Sequence, residues 1–188
     1  KPMTATQQTL PACSELRDEA TRNEAFDRLV GVLLRPIYWH VRRLVVEHDE
    51  AEEITQEAFV RAFEQFDRFR GGDGELRAWV YRIATNLSLS ALRRRRRSIF
   101  TSIDRVSREL SDRVADCSPP DADERLIEFQ RAVLELPTKQ RLVFNLRYYD
   151  ELSYAQIATA TGQSEQAAKT CYHYAVKRLR ELLNDWQI

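Results

Sequence analysis

The residues with the clearest capacity for chemistry lie between Arg77 and Arg97, in a stretch that ends in five consecutive arginines. Apolar residues recur there at steps of three and four, which predicts a helix with one face against a core. The other face carries Arg77, Tyr81, Thr85, Asn86 and Ser88. Such side chains can stack on or hydrogen-bond to bases that have left a duplex, and arginines neutralise phosphates. The stretch indicates a nucleic-acid surface. A solvated surface helix with a basic C-terminus would show the same pattern.

A second set of polar residues lies near the start of the last helical segment. Ser153 and Gln156 form a capping box, Gly162 supplies a tight turn and Ser164 can cap the next helix. This spacing predicts a helix-turn-helix, with an ordinary helical hairpin as the alternative. The outward positions of the second helix are Gln166, Lys169, Thr170, His173 and Lys177. Amide and hydroxyl side chains at a helix start suit base edges in the major groove, and the later cations suit phosphates.

The sequence has no pattern that is typical of an enzyme or of a metal site. Its histidines, His40, His48 and His173, form no HExxH pair, and there is no glycine-rich phosphate loop or nucleophile elbow. The three cysteines are scattered and form no CxxC pair, so they favour neither a disulfide framework nor a zinc site. We expect no enzymatic activity, no metal, no cofactor and a reducing cytoplasm.

Charge is balanced over the whole chain but not along it. Lys plus Arg and Asp plus Glu each total 29 in 188 residues, so a nucleic-acid surface has to arise by segregation of charge. No apolar run approaches the length of a membrane-spanning helix, and no signal-peptide pattern is present. We therefore expect a soluble, cytoplasmic protein without membrane insertion.

Helical periodicity predicts an all-α fold of two small helical domains. In the first, the period runs from Phe26 to Val45 and is interrupted at Pro36, which indicates a kink or two abutting helices. Asp49 and Glu52 then form a capping-box-like start for a helix. The outer face of that helix is acidic and rich in amides, and periodicity alone favours a merely solvated face.

Two segments lack helical periodicity and set the domain limits. Residues 1–22 are polar and predict a mobile N-terminal arm. Residues 98–123 are rich in serine and aspartate and predict a flexible acidic linker. The domains are then 23–97 and 124–188, the second of which contains the helix-turn-helix.

Three segments in this order resemble the bacterial RNA polymerase sigma factors of the small extracytoplasmic-function (ECF) group. DEAEEITQEAFVRAFEQFDRF is similar to the second conserved region, which docks on the clamp helices of the polymerase largest subunit. RAWVYRIATNLSLSALRRRRR is similar to the part that melts and reads the minus-ten element. LELPTKQRLVFNLRYYDELSYAQIATATGQS, followed by KRLRELL, is similar to the fourth region, which binds the minus-thirty-five element. The acidic linker in place of the third conserved domain is also typical of the group.

The resemblance implies a dissociable polymerase subunit that confers promoter recognition and promotes DNA melting. The residues that it implies for binding to core polymerase are Asp49, Glu52, Glu53, Gln56 and Glu57. The candidates for minus-ten DNA are Arg77, Tyr81, Thr85, Asn86, Arg93 and Arg94. Among these, Asn86 stands where the family places an asparagine near a flipped non-template base. The family pattern is weaker in the last helix, where Cys171 and Tyr174 replace frequent basic residues. Helix geometry therefore selects the minus-thirty-five residues Gln166, Lys169, Thr170, His173 and Lys177.

The implied partners are core RNA polymerase, promoter DNA as duplex and as single-stranded non-template strand, and an anti-sigma factor. One alternative function stays open. A free-standing helix-turn-helix regulator would carry the same motif and would bind duplex DNA without polymerase.

Overall fold

The computed structural model describes residues 9–98 and 124–183, and within these two ranges the chain forms helices and no strand. The first range contains α1 (Cys13–Arg17), α2 (Arg22–Val45), α3 (His48–Gln65), a single 3₁₀ turn (Phe66–Arg68) and α4 (Asp73–Ser98). The second contains α5 (Glu124–Glu135), α6 (Thr138–Tyr148), α7 (Tyr154–Thr161) and α8 (Glu165–Leu182). The predicted all-α fold of two helical domains is confirmed.

Helices α2, α3 and α4 pack against one another and form the core of the first half. Helix α2 runs unbroken through Pro36, so the prediction of two abutting helices is wrong. Proline costs the helix one hydrogen bond, because it has no N–H to donate to the carbonyl four residues earlier. The buried residues Leu33 and Ile37 flank Pro36 and hold both turns against the core. Tertiary packing therefore outweighs the local defect.

Helix α3 begins at His48, one residue before the predicted capping box. The N-cap residue is Glu47, which has an extended backbone and whose side chain makes no capping hydrogen bond. The predicted capping box of Asp49 with Glu52 is therefore wrong. Asp49 instead lies inside the first turn, where a carboxylate interacts favourably with the positive end of the helix dipole.

The N-terminal segment is packed against the first domain from residue 9 onward. Cys13 and Leu16 of α1 are buried, and the Cys13 backbone N–H donates to Asp73 Oδ1 at 2.7 Å. Arg17 Nη2 donates to the carbonyl oxygens of Phe69 and Gly71, at 3.4 and 3.3 Å. The predicted mobile arm is therefore wrong for residues 9–22, while residues 1–8 lie outside the described ranges. A five-residue helix is too short for its periodicity to stand out in the sequence.

The caps of the helix-turn-helix form as predicted. Ser153 Oγ accepts from the Gln156 backbone N–H at 3.2 Å, and Gln156 Oε1 accepts from the Ser153 N–H at 3.0 Å. Gly162 adopts φ 71°, the left-handed conformation that only glycine enters without strain. Ser164 Oγ then caps α8 by accepting from the Ala167 N–H at 3.2 Å. Local hydrogen bonds thus fix the start of both helices of the motif, and Gly162 ends the first.

The two halves share one buried cluster of apolar side chains. Helix α7 packs along α4, and Leu146, Leu152 and Ile157 belong to the same cluster as the core of the first half. The predicted linker begins at Ser98, which is the last residue of α4, and its remainder lies outside the described residues. The contact between the halves determines which faces of α4 and α8 stay open.

Candidate nucleic-acid interface

Helix α8 presents its polar face to solvent. Its buried side is formed by Ala168, Ala175 and Leu179. The exposed residues include every minus-thirty-five candidate, which are Gln166, Lys169, Thr170, His173 and Lys177. The predicted outward placement of these five side chains is confirmed, and their contact with DNA stays a prediction.

Lys169 is the candidate on α8 with the most contacts inside the protein. Its Nζ lies 3.9 Å from Glu165 Oε2 and 5.8 Å from the ring centre of Tyr154. An exposed ion pair one helical turn apart contributes only about 0.3–0.5 kcal/mol, so a phosphate can displace it. The amine is therefore available to DNA and is held near the start of the helix.

Helix α4 differs, because part of its predicted DNA face is covered. Asn86, Arg93 and Arg94 are exposed, as expected for residues that meet DNA. Tyr81 is 0% exposed and Thr85 is 1% exposed, so their predicted placement on an open face is wrong. Both side chains pack against His40 of α2, whose ring centre lies 5.1 Å from that of Tyr81 and whose Nε2 lies 2.9 Å from the Thr85 hydroxyl oxygen. Asp150, in the loop before α7, bonds to the other ring nitrogen of His40.

A polar network accounts for most of the hydrogen bonds at this contact. Asp150, in the loop between α6 and α7, accepts at Oδ1 from Arg43 Nη2 at 2.8 Å. Its Oδ2 lies 3.2 Å from His40 Nδ1, and its backbone carbonyl accepts from Arg77 Nη2 at 2.9 Å. His40 Nε2 lies 2.9 Å from the hydroxyl oxygen of Thr85. Arg77, another minus-ten candidate, is thus half-buried and bonded to the second half of the chain.

The partners of His40 fix its hydrogen-bonding pattern. A carboxylate only accepts, so Nδ1 has to carry the proton that faces Asp150. The Nε2 atom then either accepts from the Thr85 hydroxyl or, in a protonated ring, donates to it. Both ring nitrogens are therefore satisfied in a residue that is fully buried.

The electrostatics favour a charged Asp150 in spite of its burial. Burial alone would raise the pKa of this carboxyl, but the hydrogen bond and charge of His40, together with Arg43, outweigh it and lower the pKa below its ordinary value. The phenol of Tyr81 responds in the opposite direction. Burial, and then the nearby Asp150 carboxylate, raise the pKa of Tyr81, so the phenol stays neutral beside Arg77. Asp150 is the negative centre around which Arg43, Arg77 and His40 are arranged.

Sequence reasoning did not single out His40 and Asp150 as partners. His40 carried a usable signal, because it lies at helical spacing from the buried residues Ile37 and Leu44 of α2. A polar residue on an apolar stripe is normally hydrogen-bonded in the core. Its partner could not be read from the sequence, since Asp150 is 110 positions away.

The described part of the arginine run has two different environments. Arg95 lies 3.7 Å from Glu47 and 3.9 Å from Glu50, at the start of α3. Arg93 donates to the Leu89 carbonyl at 3.2 Å and to the Ser90 hydroxyl at 3.1 Å, and it remains exposed. The positions chosen from the sequence for phosphate contact, Arg93 and Arg94, are thus on the solvent side.

Helix α3 exposes all of the predicted docking residues, which are Asp49, Glu52, Glu53, Gln56 and Glu57. Beside them, a groove of about 530 Å³ runs between α2 and α3 and is lined by Leu34, Tyr38 and Gln56, among others. Leu34 is 47% exposed, so an apolar side chain faces this groove. An acidic rim beside an apolar floor has the composition of a protein-docking surface.

Neither a metal site nor a membrane-spanning helix is found in the described parts of the chain. In residues 9–98 and 124–183, no group of three or more His, Cys, Asp or Glu side chains could hold a metal ion. No helix within those ranges is long and apolar enough to cross a membrane.

Comparison with known proteins gives consistent matches over both halves. The family model for sigma-70 region 2 matches residues 29–98, and that for sigma-70 region 4 matches residues 126–179. The ECF RNA polymerase sigma factor SigW of Bacillus subtilis is 32% identical over 170 residues, which cover 86% of this chain and 90% of SigW. The ECF sigma factor SigL of Mycobacterium tuberculosis is 30% identical over 173 residues, which cover 89% of this chain and 92% of SigL.

Two solved structures share the fold. The sigma factor RpoE of Bartonella quintana, in complex with the anti-sigma factor NepR, has a TM-score of 0.67 at 24% identity, covering 86% of this chain and 98% of RpoE. CnrH, in complex with the cytosolic domain of CnrY, has a TM-score of 0.65 at 22% identity, covering 88% of this chain and 91% of CnrH.

Proposed function

Because the chain belongs to the ECF group of RNA polymerase sigma factors, we propose that its helices α3, α8 and α4 divide promoter recognition and DNA melting among them. Helix α3 docks on the core polymerase, α8 contacts the minus-thirty-five element and α4 holds unpaired bases of the minus-ten element. The two working domains are residues 23–97 and 124–188. The protein acts in the cytoplasm and performs no bond chemistry.

The observation that carries the docking assignment is the exposed acidic face of α3 beside its groove. Glu53 and Gln56 make no hydrogen bond or ion pair through their side chains within the described residues, and both are exposed. Glu57 pairs with Arg61 at 2.6 Å, one turn along the same helix. A partner with a basic rim and an apolar ridge would match this surface in charge and shape.

Helix α8 supplies the duplex-reading surface. Gln166, Lys169 and Thr170 lie in its first two turns, the part of a recognition helix that reaches base edges. His173 and Lys177 follow further along the same exposed side, where phosphate contacts would fix the register of the helix in the groove.

Helix α4 supplies the single-strand surface through the candidates that remain exposed. The Asn86 side chain offers one donor pair and one acceptor, which suit the Watson–Crick edge of an extruded base. Arg93 and Arg94 follow two turns later and provide positive charge for the strand that carries that base. Stacking contributes only about 1–3 kcal/mol per base, so the polymerase has to share the cost of unpairing.

An anti-sigma factor is the proposed regulatory partner, because RpoE, which shares the fold, was solved in complex with the anti-sigma factor NepR. A free-standing regulator is the weaker candidate. It would need the helix-turn-helix but neither a region 2 nor an acidic docking helix.

Reversal of two charges on α3 tests the docking assignment. The double variant Glu53→Lys, Glu57→Lys should bind core polymerase at least about tenfold more weakly, because like charges then face a basic partner. Affinity is measured by titration of core polymerase with labelled protein, and circular dichroism checks that helical content is retained.

The control variant, Glu19→Lys with Glu128→Lys, changes the net charge equally at two exposed positions outside α3. Unchanged core binding of the α3 variant would contradict the docking surface. Tight promoter binding by the parent in the absence of polymerase would favour the free-standing regulator instead.

A further inference from the structure

We propose that Asp150 is an internal latch, which holds the second domain over the minus-ten side of α4 and keeps the free chain closed there. The latch comprises Asp150 and its partners His40, Arg43 and Arg77. Opening it frees Arg77 of α4, whose Nη2 is bonded to the Asp150 carbonyl oxygen. That opening matters for promoter melting only if α4 has the function proposed above.

The latch concentrates the polar connection between the domains in one residue. Both carboxylate oxygens of Asp150 are used, one by Arg43 at 2.8 Å and the other by His40 at 3.2 Å. Its backbone carbonyl accepts from Arg77 at 2.9 Å. All three partners belong to the first domain, on α2 and α4, whereas Asp150 belongs to the second. Loss of this one charge therefore leaves Arg43 of the first domain without its carboxylate partner.

The contact between the domains around the latch is less tightly packed than the core of a domain. A cavity of about 230 Å³ lies between α2 and helices α5 and α6, with Trp39, Val133 and Tyr149 in its lining. Asn145 lines the same cavity, and its buried amide atoms have no hydrogen-bond partner among the described residues. Unfilled volume and unpaired polar atoms both weaken an interface. The domains are thus held by the latch and by the apolar contact of α7 with α4, and the arrangement can reopen.

The closed arrangement covers one functional surface and leaves two open. The docking face of α3 and the polar face of α8 are exposed, while Arg77 is half-buried and bonded to Asp150. Polymerase can therefore dock on α3 before the latch opens. The expected point of control is the step at which α4 takes up unpaired bases.

Asp150→Asn is the direct test of the latch. Asparagine keeps the shape of the side chain but removes the charge, and its amide N–H₂ faces a donor on Arg43 or His40. We expect the ratio of open to closed molecules to rise by about a hundredfold or more, as for removal of one partner of a buried ion pair. Small-angle X-ray scattering of the full chain measures this as an increase in radius of gyration.

Two further variants make the result specific. Glu151→Gln removes one negative charge from the neighbouring exposed position and should leave the scattering unchanged. Arg43→Gln breaks the same ion pair from the first domain and should expand the chain as Asp150→Asn does. Compact scattering from both Asp150→Asn and Arg43→Gln, with helical content intact, would overturn the latch.

The functional consequence is measured separately with core polymerase. Asp150→Asn should form open complexes faster than the parent on a duplex promoter, with unchanged affinity for the core. An expanded variant with the parental rate overturns the inhibitory role. A parent protein that supports no transcription contradicts the proposed function itself, whereas the scattering result still decides whether the latch exists.

Discussion

Helices α8 and α4 both carry predicted DNA contacts, yet only α8 presents all of them to solvent. Its five candidates lie on one exposed side, opposite Ala168, Ala175 and Leu179. On α4, Asn86, Arg93 and Arg94 are exposed, while Tyr81 and Thr85 are buried. Apolar residues recur at helical spacing in both helices, so that spacing alone does not explain the difference.

The difference arises from what packs against each helix. Helix α8 is the last described element and buries one side, against α5, α6 and α7. Helix α4 packs against α2 and α3 on one side and against α7 on another. A helix that serves two domains has two buried faces, and a single apolar stripe reveals only one of them.

The largest difference between the helices is expected for a pair of tyrosines. Tyr81→Ala should lower the free energy of unfolding by about 3–5 kcal/mol, because it removes a large, fully buried ring. Tyr174→Ala, on α8, removes a ring that is 54% exposed. This variant should change the free energy of unfolding by no more than about 0.5 kcal/mol. Urea unfolding in the absence of DNA measures both. Similar small effects for the two variants would mean that Tyr81 is open to solvent in the free protein.

A pair of threonines gives the next largest contrast. Thr85→Val keeps the shape but removes the hydroxyl that contacts His40 Nε2, so stability should fall by about 1–3 kcal/mol. Thr170→Val makes the same chemical change at an exposed site and should be nearly neutral in urea unfolding. Equal stability losses in the two variants would contradict the buried contact of Thr85 with His40.

The duplex-reading role of α8 is tested by truncating two of its exposed side chains. The double variant Lys169→Ala, His173→Ala should weaken binding to the upstream promoter element. If Lys169 contacts one phosphate, the slope of log binding constant against log salt should shrink by about 0.9. Footprinting of the polymerase complex over a range of salt concentrations measures both effects.

Arg178→Ala serves as the control on the same helix. Arg178 pairs with Glu181 at 3.7 Å and lies on the opposite side of α8 from Lys169. Its loss should leave the upstream footprint and its salt slope unchanged. A normal footprint from the double variant would mean that Lys169 and His173 do not contact the DNA.

The smallest effect on stability is expected at Asn86, which is exposed on the otherwise partly covered α4. Asn86→Ala should change the free energy of unfolding by less than about 0.5 kcal/mol. It should nevertheless slow open-complex formation on a duplex promoter, because an extruded base loses its hydrogen-bond partner. Permanganate reactivity of the melted region measures the rate.

A template with a pre-melted minus-ten region separates the two parts of that effect. It should restore part of the lost rate, since unpairing has already occurred, but not the part that depends on the base. Equal rates for variant and parent on the duplex template would mean that Asn86 is an ordinary surface residue without a role in melting.

Local rules were sufficient wherever the deciding contacts lie within a few residues. The capping box of Ser153 with Gln156, the turn at Gly162 and the cap at Ser164 depend on neighbours three or four positions away. The phase of α8 follows from the same spacing. These features were predicted correctly, because helix ends and helix faces are fixed by short-range hydrogen bonds and by one apolar stripe.

Local rules failed where long-range packing opposes or adds to them. Pro36 lies inside one continuous helix, because buried neighbours hold both sides of it. The α1 segment is too short to show a period, yet the bond from Cys13 to Asp73 ties it to a residue 60 positions away. In both places the tertiary contacts outweigh a weak or unfavourable local preference.

The sequence by itself determined most of the longer helices, the caps of the helix-turn-helix, the outward face of α8 and the acidic face of α3. Only the tertiary structure decided that Tyr81 and Thr85 are covered and that His40 meets Asp150. The physical reason is the distance along the chain, since residues 110 positions apart have no periodic relation. Their meeting depends on how the second domain packs against α4, which no local preference encodes.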